Sequence, residues 1–206
     1  MNEAIVKEWF RVFGKYQRGE EILRGLIQKI NYEKHAYHNL THLEEMTQVI
    51  RTTLQPHNKK DYDNLIFATL YHDAIYDTTS KTNEEASALM ANDELRYMNV
   101  DLFDVVQVVE LIISTKKHEP IETSDSAKLF LDADLFILAA APSRYSEYAQ
   151  GVRKEYSWVN DEEYRIGRKA VLEKFTKRKR IFLNDVMHTD YNDRARRNIK
   201  MELATL

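Results

Sequence analysis

Three of the seven histidines, His35, His38 and His42, fall within eight residues, and a fourth, His72, is followed at once by Asp73. The His72-Asp73 pair closes an apolar run, FATLYHDAIYD. A second apolar run, LFLDADLFIL, carries Asp132 and Asp134 among leucine, phenylalanine and isoleucine. A carboxylate on an apolar face is costly unless it is paired or bound to a cation. Imidazole and carboxylate are ligands of borderline and hard divalent metals, and the helices of a bundle can aim several of them at one ion. There is no cysteine, which excludes a disulfide framework, a thiolate zinc or iron–sulfur site and a thiol nucleophile.

Helix geometry prunes these candidates. Residues two apart on a helix point in nearly opposite directions, so Asp132 and Asp134 do not easily ligate one ion together. Adjacent residues such as His72 and Asp73 diverge by about 100° and can still reach an ion lying between them. His38 and His42 have zincin spacing, but HNLTH has Leu40 and Thr41 and no glutamate, so that reading fails.

The elements that must carry these groups read as helices almost throughout. Ile5, Val6, Trp9, Phe10 and Phe13 recur at helical spacing, as do Ile22, Leu23, Leu26, Ile27 and Ile30. Further helices are expected over 41–54, opened by a Thr41/Glu44 capping box and ended by Gln55-Pro56-His57-Asn58, over 61–74, and over 82–98 behind a Thr82/Glu85 box. The wide apolar face of 101–115 suggests a central helix buried on several sides. A helix over 124–141 should stop at Pro142, followed by 143–157, 161–179 and 191–204. His57 and His188 fall in expected loops without a role. Five glycines and three prolines in 206 residues disfavour a sheet-rich chain or a glycine-rich phosphate loop. Thirty basic against thirty-three acidic residues give −3, so no basic field is available for a nucleic-acid polymer. No signal-peptide pattern or 18-residue apolar stretch occurs, so a cytoplasmic location is expected, with no membrane partner. The expectation is an all-α single domain over 1–206, a bundle of about eight to ten helices, with a core over about 31–140 and helices of 143–206 packed on it.

These residues resemble the HD-domain superfamily of metal-dependent phosphohydrolases, and more closely its predicted bacterial hydrolases. The resemblance rests on His42, His72-Asp73 and Asp134, and on the stretches YHNLTHL (37–43), YHDAIYD (71–77), TNEEAS (82–87), FLDADLFIL (130–138), VRKEY (152–156) and YRIGRKAVLEKF (164–175). It runs from about residue 31 to the C-terminus. It implies an HD-type helical fold and one divalent cation (manganese, magnesium, cobalt, zinc, nickel or iron) held by His42, His72, Asp73 and Asp134. The choice of Asp134 over Asp132 follows the resemblance; Asp132 is otherwise a partner of a ligand histidine, a solvated acid or a capping acid.

Other groups could complete such a site. Asp73, Asp77, Glu84 and Glu85 are candidates for the general acid or base, although Glu84 and Glu85 also suit the first turn of a helix. His35, His38, His118, Arg153 and Arg168 are candidate substrate contacts. His118 could also be a fifth ligand, and the arginines could be ordinary surface or packing residues. The KFTKRKR run (174–180) reads as a solvated face. The expected activity is hydrolysis of a nucleotide or other small phosphoester by a metal-activated water. The rival readings are a non-catalytic, metal-stabilised nucleotide-binding sensor and a di-iron oxygenase. The oxygenase is disfavoured because His118 is the sole histidine over 74–133. The wide apolar helices also leave room for a homodimer.

Overall fold

In the computed structural model, residues 2–33, 35–54, 58, 61–121 and 123–206 are described. Ten α-helices and no strand occur among the described residues: α1 Glu3–Phe13, α2 Gly19–Glu33, α3 Leu40–Thr53, α4 Tyr62–Tyr71, α5 Asn83–Tyr97, α6 Leu102–Thr115, α7 Asp125–Asp134, α8 Pro142–Glu155, α9 Asp161–Lys177 and α10 Asp185–Leu203. A short 3₁₀ turn, Leu135–Ala139, follows α7. The chain is all-α, as its periodicity requires. Gln55, Pro56 and His57 lie outside the described residues. No helix of the described residues is long and apolar enough to cross a membrane.

Capping side chains set several helix starts. Asn39 accepts a hydrogen bond from the Thr41 N–H, Asp101 from Phe103, Ser124 from Ala127, Asn160 from Glu163, and Asn184 from Val186 and Met187. Each satisfies a donor that a helix N-terminus leaves orphaned. The Thr41/Glu44 box does not form, because Asn39 holds the cap position two residues earlier and Thr41 already lies inside the first turn. Thr82 does precede α5, but without a side-chain cap. Two expected helices are shorter than their apolar patterns. The 61–74 pattern stops at Tyr71, and the 124–141 pattern stops at Asp134 and tightens into the 3₁₀ turn. Pro142 starts α8 instead of merely ending its predecessor, as its fixed φ and missing N–H allow. The last helix begins at Asp185, so His188 is helical.

The core joins α1, α3 and α4 through Trp9, Phe13, Met46, Ile50, Leu65 and Phe67, all fully buried. Phe13 and Phe67 meet edge to face at 4.9 Å, and the Trp9 indole donates to Thr47 Oγ1 at 2.9 Å. Each such apolar side chain contributes roughly 1.5–3 kcal/mol through burial. α5 and α6 pack on each other and on α4. The expectation that α6 is buried on several sides fails. Val105, Val108 and Ile112 are buried, whereas Leu102, Phe103 and Val106 are exposed. α3, α4 and α7 touch one another pairwise, and α8 and α10 pack on the 3₁₀ turn. The ends of α4 and α7 are thereby brought to the start of α3.

Candidate metal centre

α3 presents His42, His72 caps the C-terminus of α4, and Asp134 ends α7. His42 Nε2 lies 3.3 Å from His72 Nε2. Asp134 Oδ1 lies 3.3 Å from the first and 3.7 Å from the second. Both imidazoles are buried, at 2% and 1% exposure. His72 Nδ1 is 2.9 Å from the Thr69 carbonyl; a carbonyl can only accept, so Nδ1 carries a proton and Nε2 is turned inward. The Tyr37 hydroxyl, 3.1 Å from His42 Nδ1, orients the second ring. Such partners on the far ring nitrogen fix a ligand's tautomer.

The three atoms fit one ion. The point equidistant from three atoms separated by 3.3, 3.3 and 3.7 Å lies about 2.0 Å from each, and metal–nitrogen or metal–oxygen bonds are ~2.0–2.2 Å. A buried group of His42, His72 and Asp134 could thus hold a metal ion.

Asp73 stands beside this group. Because α4 ends at Tyr71, Asp73 occupies a turn, and its Oδ2 swings to 3.0 Å from His72 Nε2 and 4.0 Å from His38 Nε2. Against burial, which works the other way, the adjacent carboxylates lift the His72 imidazole to about 9. Also against burial, His72 and His38 draw Asp73 down to about 2. Burial likewise opposes ionisation of Asp134, and the hydrogen bonds of His118 and His42 hold it well below the usual carboxylate range. Two ionised carboxylates at a largely buried centre suit a cation. His118 Nε2 lies 3.0 Å from Asp134 Oδ2. Since the carboxylate accepts, His118 donates and orients it. His118 itself has φ 49°, and Arg178 holds that segment by donating to the Lys117 and His118 carbonyls.

Asp132 points elsewhere. It is fully buried, and its two oxygens accept from the Leu183 and Asn184 N–H groups at 2.7 Å each. It is the capping acid of the α9–α10 link.

Glu155 was not among the sequence candidates. Its carboxylate accepts from the Tyr37 N–H at 2.6 Å and the His38 N–H at 3.0 Å, and stands 2.7 Å from His38 Nδ1. It therefore takes the Nδ1 proton and leaves His38 Nε2 facing Asp73. Against the desolvation of burial, Glu155 and Asp73 raise the His38 pKa. Gly151, one turn earlier, makes the approach: a Cβ there would lie 3.1 Å from Tyr37 Cβ and 3.2 Å from the Ala36 carbonyl. The sequence signal was an acid on the apolar face Tyr148-Gly151-Val152-Glu155, placed at a helix C-terminus where the dipole disfavours it.

A cavity of about 690 Å³ opens beside the centre, lined in part by His38, His72, Asp73, Glu84, His118, Asp134 and Arg168. The remaining candidates are otherwise engaged. Asp77 is exposed and caps its own turn on Thr79. Glu85 is exposed and pairs with Lys116, whose ammonium also lies 3.8 Å from Glu84. His35 pairs with Glu33 at 3.2 Å. Arg153 donates to the Tyr156 and Val159 carbonyls and to Asp161. Arg168 borders the cavity, but its guanidinium is spent in a buried double contact with Glu202 and on the Tyr148 hydroxyl. The 174–180 run, expected as a solvated face, supplies Lys174 and Arg178 to the cavity wall. Against this geometry, no family model, no curated protein and no solved structure matches the chain.

Proposed function

We propose that this chain is a metal-dependent phosphohydrolase of the HD-domain type, acting on a small phosphoester. The observation that carries the reading is the convergence of His42 Nε2, His72 Nε2 and Asp134 Oδ1 on a common point beside a cavity with cationic lining. A divalent cation at that point would supply Lewis acidity and a water of lowered pKa. Asp73 is close enough to His72 to complete the donor set or to accept a proton from that water. His118 keeps Asp134 aimed inward. His38, steadied by Glu155, presents Nε2 to the cavity and is placed to give a proton to the departing ester oxygen. Lys174 on the lining offers charge to phosphate oxygens. In the overall step water oxygen adds to phosphorus, the ester P–O bond breaks, and the leaving oxygen takes the proton.

The test is a phosphoester panel with manganese, magnesium or cobalt, run on the wild type and on Asp73→Ala and His72→Ala. Metal-dependent turnover that both variants lose supports the reading. Absence of turnover on every ester, or turnover that the variants retain, refutes it.

A further inference from the structure

The same cavity holds a feature that phosphate chemistry does not use. Trp158 lies on its lining yet is 59% exposed. A large exposed aromatic ring that is nonetheless fixed in place suggests a contact surface. Trp158 is fixed three ways. Its Nε1 donates to Thr78 Oγ1 at 2.8 Å, and the Thr78 hydroxyl passes a hydrogen bond to the Glu155 carbonyl at 3.4 Å. Its ring stacks with Tyr156 at 6.4 Å and 28°. The turn that carries it is clamped by Arg153 on the Tyr156 and Val159 carbonyls. Further inward, Tyr76 lies on the same lining and stacks on His38 at 4.0 Å and 28°. Aromatic faces thus lead from the metal-side His38 to the exposed indole.

We infer that Trp158, latched by Thr78 and backed by Tyr156, is a stacking platform for a planar heteroaromatic ring on the alcohol half of the substrate. This rests on the hydrolase reading for what lies inward, where the phosphoryl group would sit, but the platform is testable without turnover. A ring pre-ordered by Thr78 and Arg153 loses little freedom on binding. Glycerol phosphate has no ring to offer it, and a sugar offers C–H groups in place of a π face.

The probe is adenosine, with ribose 5-phosphate and inorganic phosphate as non-aromatic controls. The chain has two tryptophans, and Trp9 is fully buried, so emission quenching reports on Trp158. Adenosine is expected to quench saturably and the controls not to. By calorimetry, Trp158→Leu should weaken adenosine about 5- to 150-fold, the range for base–aromatic stacking. Thr78→Val, which keeps the ring and releases its latch, should weaken it less. Thermal melts verify that both variants fold. Unquenched emission, or equal adenosine affinity in Trp158→Leu, overturns the platform. The turnover arm separates the two readings. If ribose 5-phosphate and adenosine 5′-phosphate are cleaved alike and Trp158→Leu changes neither KM, the platform fails and the hydrolase stands. If adenosine binds through Trp158 but no ester is cleaved, the platform stands and the hydrolase fails.

Discussion

Asp132→Ala separates the two carboxylates of the LFLDADLFIL run. Asp132 is fully buried and holds the Leu183 and Asn184 N–H groups at 2.7 Å each. Truncation leaves both donors without a partner, at ~1–3 kcal/mol apiece. It also releases a buried carboxylate from its desolvation cost. Setting these against each other gives a net loss of about 3 kcal/mol, and at ~2–4 °C per kcal/mol for a chain of this length the melting temperature falls by about 6–12 °C. Asp132→Asn keeps the volume and one acceptor and should lose about half as much. The assay is urea and thermal unfolding, with metal per chain measured on the same samples. Metal content should be unchanged, because Asp134 faces the centre and Asp132 does not. A melting temperature within about 2 °C of wild type would refute the capping role. Loss of metal from a still-folded Asp132→Ala would refute the assignment of the ligand to Asp134.

Other consequences can be checked independently. Glu155→Gln keeps an acceptor for the Tyr37 and His38 N–H groups but removes the charge beside His38; kcat should fall ~100-fold with metal content intact, and unchanged turnover would contradict the role of the pair. Arg168→Met leaves the Glu202 carboxylate with the Tyr145 hydroxyl but no cation and should cost ~3–5 kcal/mol; Arg168→Met/Glu202→Met should recover part of that, and equal instability of single and double variants would argue against it. Burial pushes the Asp132 carboxyl up to about 7 against the pull of its two N–H donors. With the folded value above the unfolded ~3.9, its contribution is whole below about pH 4 and lost as pH rises through about 7. The wild-type stability curve should carry that falling component and Asp132→Ala should lack it; identical slopes would refute it.

What the sequence made legible follows from which signals are local. Apolar periodicity located the helices, because each buries one face whatever its neighbours are. Ends were harder. The apolar pattern ran on past Tyr71 and Asp134, since buried turns need hydrophobes as much as helices do, and Asn39 outcompeted the Thr41 box. The early stop after Tyr71 matters for the site: it frees Asp73 from helical geometry and lets it fold back toward His72. The clash between apolar context and charge correctly marked Asp132 as anomalous, but its partners are backbone groups fifty residues away, which no local pattern carries. Glu155 was missed for the same reason. Its partners, Tyr37 and His38, are brought near only by the glycine-enabled approach of α8, and the local hint, an acid on the Tyr148-Gly151-Val152 face, does not name them.

The most direct measurement is the amount of divalent metal bound per chain, by elemental analysis after loading and gel filtration. It is made on the wild type, His42→Ala and Asp134→Ala, with circular dichroism to verify folding. The expected result is one ion per wild-type chain, removed by either substitution in a folded protein, since His42, His72 and Asp134 converge on a single point. A wild type that binds no metal, binds two ions per chain, or keeps its ion in both variants would contradict the account.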